Sequence, residues 1–377
     1  MPDKKTKNRQ PFFYVGQHFD FALLFIIIFL VCFGLVMIYS TSSYAGTTKY
    51  GDPAYYVKRQ AFFAIIGVIA MLLISGVNYQ SWKYFSKLMY IVAILLLGGV
   101  FIIGVASHGA ARWYRIGSFQ FQPSEVAKFI LILYIAHLAT ANARKLNTIG
   151  AHLTFMLLPI VPIGMIALEN LSTAIICACI LIAVLFVTSP KTAPFVLVGV
   201  VSCAGLALFL GLGAGSSGYR MERIEIWQNV ETHPKGYQIR QAMYAIGSGG
   251  LWGKGLGQSI QKMGFLPESH NDMIFSIICE ELGLFGAICI IAIFALLIWR
   301  FMLIANSAPD LYGALIVVGV LTHIAVQVLI NIAVVTNTIP STGVTLPFIS
   351  YGGTSLVMLL AEMGLVLSVS RQIRYGR

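Results

Sequence analysis

Long, unbroken apolar runs are the feature that most restricts what this chain can fold into. The run LLFIIIFLVCFGLVMIY, at residues 23–39, contains no charged residue, and similar runs recur along the chain. Because lipid offers no hydrogen-bond partner to the backbone, such runs cross a bilayer only as helices or as strands of a closed barrel. Barrel strands alternate polar and apolar residues, and these runs do not. The sequence therefore predicts an all-α, polytopic integral membrane protein.

Composition and charge exclude several other classes of protein. Of the 377 residues, 58% are hydrophobic and 10% are charged, whereas about a quarter of a soluble domain is charged. This composition excludes a soluble enzyme, a disordered chain and a fibre. The net charge of +11 does not indicate nucleic-acid binding, because the basic residues are scattered between apolar runs. All six cysteines lie inside apolar runs without a paired metal-binding pattern, so no disulfide framework is predicted.

Ten apolar segments predict ten transmembrane helices in a single membrane domain over residues 1–377. The segments are 19–39, 61–77, 88–106, 124–140, 153–169, 172–188, 193–212, 272–299, 311–333 and 352–369. Their ends are defined only to within several residues. The first run is too long for the core of a signal peptide, so we expect an uncleaved first span. The remaining parts are an N-terminal tail (1–18), a long extracytoplasmic loop between helices 7 and 8 (212–271) and a C-terminal tail (370–377).

The distribution of basic residues predicts the orientation. Short cytoplasmic segments carry an excess of Lys and Arg in membrane proteins. With the N-terminus inside, those segments hold Lys4, Lys5, Lys7, Arg9, Lys83, Lys87, Arg144, Lys145, Lys191, Arg300, Arg371, Arg374 and Arg377. The short outer loops hold fewer, namely Lys49, Lys58, Arg59, Arg112 and Arg115. We therefore expect both termini in the cytoplasm.

The outer side carries most of the irregular sequence. Segments 107–125, 212–272 and 336–355 are rich in Gly, Pro, Ser and aromatic residues. Loops of this kind are tolerated at membrane depth where they line a cavity. Within the long loop, YRMERIEIW at 219–227 has helical spacing of its apolar residues, which predicts a helix in the membrane interface.

Ionisable residues inside apolar spans are costly and need a reason. Glu125 and Lys128 share one helical face, as a structural ion pair or as the lining of a substrate cavity. Asp272, at the outer end of the eighth span, is either a helix N-cap or a functional carboxylate. Further polar residues have their own explanations: a turn cap at Glu169 and Asn170, interhelical hydrogen bonds for His323, Gln327 and Asn331, and either a structural or a functional role for Glu362.

The glycine-rich stretch GSGGLWGKGLG, at residues 247–257, is not a nucleotide-binding loop. Ser248 stands where a P-loop needs its first glycine, and Gly255 replaces the Ser or Thr that follows the lysine. The stretch would also face outward, where no ATP pool exists. Chemistry at the outer face must therefore use a substrate that brings its own leaving group or is delivered by the lipid.

Four ordered blocks carry a resemblance to a known family. They are GAARWYRIGSFQFQPSEVAK at 109–128, ENLSTA at 169–174, the block from GYQIRQ to HNDMIFSIICEELG at 236–283, and PSTGVTLPFISYGGTS at 340–355. Together they resemble the SEDS family of bacterial cell-wall proteins, which includes FtsW, RodA and SpoVE. The residues of ENLSTA and SYGGTS are most similar to the FtsW and SpoVE branch. Glu169 and Asn170 replace the family's Pro-Asp, Ser172 replaces a glycine, and Asn271 replaces a common threonine.

The resemblance implies a ten-span peptidoglycan glycosyltransferase of the bacterial cytoplasmic membrane, acting in division or sporulation septum synthesis. Such an enzyme polymerises lipid II into glycan strands and works with a class B penicillin-binding protein and other division or elongation proteins. The family's essential carboxylate maps to Asp272, which we expect to act as a general base. The expected substrate-binding residues are Arg112, Trp113, Glu125, Lys128, Arg223, Arg240, Lys262 and His270. A divalent cation, Mg²⁺ or Mn²⁺, is a further candidate for neutralising the diphosphate.

Three alternatives remain at this point. A lipid II flippase would need polar groups through the full membrane depth. A scaffold that only recruits a synthase would tolerate substitution of the outer carboxylates. An elongation-type polymerase, similar to RodA, would share the chemistry but act in cell-shape maintenance.

Overall fold

The computed structural model describes residues 19–107, 110–116, 119–144, 146, 149–189 and 218–373. Within them the helices are α1 (Phe21–Tyr50), α2 (Tyr55–Gly76), α3 (Trp82–Ile103), α4 (Pro123–Asn142), α5 (Ile149–Glu169), α6 (Leu171–Thr188), α7 (Gly218–Gln228), α8 (Tyr237–Gly249), α9 (Ile274–Asn306), α10 (Leu311–Val335) and α11 (Gly353–Ser370). Short 3₁₀ turns at Tyr79–Ser81 and Pro234–Gly236 precede α3 and α8. The prediction of an all-α, multi-pass membrane protein is confirmed.

Eight described helices are long and apolar enough to cross a membrane. They correspond to the predicted segments other than the fifth and the seventh. The fifth lies in α5, which contains Pro159 and Pro162 and has a shorter qualifying apolar stretch, Phe155–Glu169. The seventh predicted segment, 193–212, lies outside the described residues, as does the N-terminal tail at 1–18. The number of ten spans is therefore not confirmed.

A small antiparallel sheet lies between α3 and α4, where the sequence predicted only an irregular outer segment. Its strands are β1 (Val105–Ser107), β2 (Ala110–Ile116) and β3 (Phe119–Phe121), in the order β1-β2-β3. Val105 pairs with Trp113, and Tyr114 pairs with Phe121. The sheet leads directly into Pro123, which begins α4 at a position where a missing backbone N–H costs nothing.

Close packing of α2 against α11 depends on glycine. A side chain at Gly67 would meet Leu360, and one at Gly364 would meet the carbonyl of Met71. In lipid, helices associate through van der Waals contact, so small residues that let two backbones approach are favoured. α4 and α11 are consequently largely buried in the bundle, whereas α1 to α3 expose large apolar side chains such as Phe25 and Leu95.

The glycine-rich stretch forms a clasp on a break in α9. The break is at Gly283, with φ 69° and ψ −169°. Leu284 N–H donates to the Gly250 carbonyl at 2.9 Å, and Phe285 N–H donates to the Leu251 carbonyl at 3.1 Å. Backbone groups freed by the break are thus paired by the glycine-rich stretch. This pairing allows a non-helical residue about 14 Å along the helix from its N-terminal end. Its glycines serve backbone packing, in agreement with the exclusion of a nucleotide site.

Candidate functional site

A cavity of about 960 Å³ lies at the end of the bundle where α2, α4, α6 and α11 begin. Its walls come from α2, β2, the starts of α4, α6 and α11, α7, and two outer segments at 268–272 and 341–345. The predicted site residues on its walls are Trp113, Glu125, Lys128, Arg223 and Asp272. Residues from all four resemblance blocks therefore line one space.

Asp272 lies just outside α9, whose N-cap is Met273 and has no side-chain cap. The aspartate is therefore not the helix cap that the alternative interpretation required. Burial, and after it the negative charge of Glu268, raise the pKa of the Asp272 carboxyl to about 7 against the opposing effect of Arg223. A carboxylate with this pKa is basic enough to accept a proton and is substantially ionised at neutral pH.

Glu125 and Lys128 form a buried pair on the cavity wall. Lys128 Nζ lies 3.0 Å from Glu125 Oε1, and the Ser355 hydroxyl donates to Glu125 Oε2 at 2.9 Å. Both side chains also line the cavity. The predicted ion pair is present and lines a cavity, and its role toward a substrate stays a prediction.

Two cavity residues come from the short helix α7 and the sheet. The Arg223 guanidinium, on α7, donates to the carbonyl of Ser341 at 2.7 Å while lining the cavity. Trp113 lines the cavity from β2. Arg112 precedes it on the same strand, but its side chain lies outside the described residues.

The remaining predicted residues have other surroundings. Arg240 donates to the carbonyls of Val230 and Glu231, both at 2.7 Å, and so holds the turn between α7 and α8. Lys262 lies 2.7 Å from Glu281 Oε1 and donates to Ser40 at 2.9 Å. Neither is among the residues that line the cavity. The sequence did not reveal the contact between Lys262 and Ser40, because these residues are 222 positions apart.

His270 is packed against the cavity's tyrosines instead of facing into it. Its ring centroid is 4.5 Å from that of Tyr56 and 5.7 Å from that of Tyr351. Burial lowers the pKa of His270, so the ring is neutral at pH 7. The Tyr351 N–H donates to the His270 carbonyl at 2.9 Å. His270 thereby links the segment before Asp272 to the segment before α11.

Sequence reasoning missed several residues that line the cavity. Arg59, on the first turns of α2, lies 3.1 Å from the Tyr55 hydroxyl and was read only as an outer-loop charge. Glu268 has φ 54° and lies on the loop before Asp272. The sequence does not separate Arg59 from its neighbour Lys58, since both are basic residues of the same segment. Lys58 nevertheless forms an exposed ion pair with Asp52.

The part of the chain that the structure describes contains no preformed cluster of metal ligands. There, no group of three or more His, Cys, Asp or Glu side chains could hold an ion. The expectation of Mg²⁺ or Mn²⁺ therefore stays a prediction, and the metal dependence of the reaction is its test.

Comparison with known proteins supplies the family context. The FtsW/RodA/SpoVE family model, described as "Cell cycle protein", matches residues 21–375. Stage V sporulation protein E of Bacillus subtilis is 40% identical over 362 residues, covering 94% of this chain and 98% of the relative. The probable peptidoglycan glycosyltransferase FtsW of the same organism is 36% identical over 377 residues, covering 96% and 92%.

Solved structures show the same architecture. A chain from a peptidoglycan synthase complex, described as coordinating polymerization and crosslinking, has a TM-score of 0.77 and 27% identity, over 94% of this chain and 98% of that chain. The Thermus thermophilus rod shape determining protein RodA has a TM-score of 0.68 and 25% identity, over 96% and 99%.

Proposed function

Because this chain belongs to the FtsW/RodA/SpoVE family of cell cycle proteins, we propose that it is a peptidoglycan glycosyltransferase that polymerises lipid II. The observation that carries the proposal is the shared cavity. It combines the Asp272 carboxyl, whose pKa is raised to about 7, with the cations Lys128, Arg59 and Arg223. A base and a set of positive charges facing one space suit transfer of a sugar from a diphosphate leaving group.

The reaction joins two lipid-linked sugars. The 4-hydroxyl of one N-acetylglucosamine attacks the anomeric carbon of the other chain, a new C–O bond forms, and the bond to undecaprenyl diphosphate breaks. Asp272 accepts the proton that the hydroxyl loses. The donor carries its own activated leaving group, which agrees with the lack of a nucleotide-binding motif in the glycine-rich stretch.

Positive charge on the cavity wall stabilises the departing diphosphate. Preorganised cations in a site shielded from water are effective because little reorganisation is needed as negative charge develops. Lys128 is held by Glu125, and Arg223 by the Ser341 carbonyl, so both are fixed before substrate binds. Trp113 offers an aromatic surface for a sugar ring, and Arg112 is a further candidate from the same strand.

The proposed biological role is based on the relatives. Similarity to a stage V sporulation protein and to FtsW supports septum synthesis in sporulation or division, and an elongation role similar to RodA is the alternative. Similarity to a chain of a peptidoglycan synthase complex supports a class B penicillin-binding protein as partner. We place the protein in the bacterial cytoplasmic membrane with both termini inside and the cavity outside.

The test is polymerisation of purified lipid II, with and without a co-purified transpeptidase partner and with Mg²⁺, Mn²⁺ or chelator. Wild type should produce glycan strands, and Asp272→Asn should lose about 10²–10⁴-fold in rate, the usual contribution of a general base. Glu222→Gln, a change in a partly exposed ion pair between α7 and Lys235 of the turn before α8, is the control. Full activity of a folded Asp272→Asn protein would contradict the base assignment. Presenting lipid II on the outer side alone separates polymerase from flippase, because only a polymerase then yields product.

A further inference from the structure

Three polar side chains on α10 form a buried stripe that reaches from one wall of the cavity to the other. His323, Gln327 and Asn331 are 1%, 2% and 0% exposed. They recur every fourth residue, so they share one helical face over about 12 Å. The interhelical contacts predicted from the sequence are present for His323, which contacts Lys128 on α4 and Glu362 on α11. Gln327 and Asn331 instead donate to backbone carbonyls of non-helical segments.

The cytoplasmic end of the stripe contacts the buried lysine. His323 Nε2 lies 3.0 Å from Lys128 Nζ, and its Nδ1 lies 2.7 Å from Glu362 Oε2. The imidazole thus connects the cation on the cavity wall to a carboxylate on α11.

The middle of the stripe turns toward the outer segment. Gln327 Oε1 lies 2.8 Å from His323 Nε2, and the Gln327 amide donates to the Thr345 carbonyl at 3.0 Å. Thr345 lines the cavity. One amide therefore joins the histidine to the backbone of the cavity wall.

The outer end of the stripe holds the aspartate. Asn331 Nδ2 donates to the Asp272 carbonyl and to the Val344 carbonyl, both at 2.8 Å. Both hydrogens of the amide are used, and both acceptors belong to non-helical segments. A side chain that only fastened two helices together would have no need to bind the backbone of the proposed base.

We propose that Asn331 is a positioning residue, and that the stripe His323–Gln327–Asn331 holds Asp272 and Lys128 at a set spacing across the cavity. The proposal rests on the proposed function, in which those two residues serve as base and as cation for the diphosphate. A rigid helix is a suitable support, because displacement of a reacting group by about 1 Å is enough to reduce a rate by about 100-fold.

The test compares Asn331→Leu, which removes both donors while keeping the branched shape of the side chain, with Thr322→Val. Thr322 is on the same helix and donates only to the Val318 carbonyl of its own helix, so its loss should leave the rate unchanged. For Asn331→Leu we expect kcat to fall about 10- to 100-fold, with KM for lipid II unchanged.

The pH profile separates positioning from loss of folded protein. In Asn331→Leu the Asp272 carboxylate should gain hydration, so the acid limb of the rate profile should move to lower pH. The charged and titratable groups around Asp272 stay the same: Glu268 and His270 on its own loop, Arg223 on α7, and Glu125 and Lys128 across the cavity. Rates are therefore divided by the folded fraction measured at each pH, and an unmoved acid limb would overturn the proposal.

Hydrogen exchange gives a measurement that does not depend on activity. In the full-length protein, Asn331→Leu should accelerate amide exchange in 268–273 and 341–346 relative to Thr322→Val, and equal exchange would overturn the proposal. A wild type that makes no glycan would defeat the proposed function, while exchange still decides whether Asn331 holds these segments. If Asn331→Leu does not fold, Asn331→Ser retains one donor and should show the same changes to a smaller degree.

Discussion

Lys128 Nζ lies 3.0 Å from Glu125 Oε1, and only 3% and 9% of the two side chains are exposed. The pair is surrounded by further buried ionisable groups, since His323 links Lys128 to Glu362. Burial of this many charges is tolerated only when they compensate one another. Lys128 consequently has a structural role beside its proposed role toward substrate, and the two need separate measurements.

The Lys128→Met variant should be destabilised by about 3–5 kcal/mol, because it leaves a buried carboxylate without its counter-charge. Combining it with Glu125→Gln removes the uncompensated charge, so thermal stability should recover in large part while polymerisation stays low. Thermal unfolding and the lipid II assay on the same preparations check both statements. A double variant that regains wild-type activity would limit Lys128 to a structural role.

The rate of polymerisation should increase with pH and reach half of its maximum near pH 7. This follows because the base must be deprotonated, and burial raises the pKa of Asp272 to about 7. Glu268→Gln removes a neighbouring negative charge, so the midpoint should move to lower pH. The control Glu222→Gln lies in the partly exposed pair with Lys235 and should leave the midpoint in place. A profile unchanged by Glu268→Gln would exclude Glu268 as a cause.

Asp272→Asn should make the protein more resistant to heat at pH 8. A carboxyl whose pKa is raised on folding binds its proton more tightly in the folded state, so its ionisation destabilises the fold. For Asp272 this loss begins above pH 3.8, the ordinary value, and is complete above about 7. The difference in thermal midpoint between variant and wild type should therefore shrink from pH 8 to pH 5. A constant difference would indicate that the Asn acts through packing alone.

Gly283→Ala should disrupt the clasp on α9. The residue has φ 69°, and a Cβ there would collide with the backbone of Gly253 and Leu251. We expect a loss of several kcal/mol, of the order seen for strained or overpacked sites, and a lower thermal midpoint. Gly247→Ala on α8 is the control, because nothing lies within 4 Å of its Cβ position. That change should be neutral or should stabilise the helix by up to about 1 kcal/mol.

Lys262→Met should destabilise the fold and leave the KM for lipid II unchanged in the protein that remains folded. The Lys262 side chain is 3% exposed and is paired with the fully buried Glu281. Lys254 forms the equivalent pair with Glu280 but is 29% exposed, so Lys254→Met should have a smaller effect because solvent at the lysine already weakens the attraction that is lost. Thermal midpoints of the two variants check the ranking. A raised KM for Lys262→Met alone would return this lysine to the substrate site.

Much of the candidate site was predictable from the sequence because its members are polar residues in apolar segments, where burial costs free energy. Asp272 at a span end, Lys128 inside a span and the stripe ending at Asn331 are polar residues in an apolar setting, and each needed a partner or a role. Arg240 and Lys262 were equally conspicuous as charges, yet they bind the backbone of a turn and a buried glutamate. Charge type alone does not distinguish a diphosphate from a carbonyl or a carboxylate of the protein.

The sequence by itself determined the class of protein, a bundle of apolar helices with an irregular outer side, because lipid leaves the backbone no other way to satisfy its hydrogen bonds. It also determined the helical spacing of His323, Gln327 and Asn331, since that depends only on residues within one helix. Tertiary structure decided that this stripe reaches Lys128 at one end and Asp272 at the other. Those contacts join residues 195 and 59 positions apart, and no local pattern encodes which distant segments a folded chain brings together.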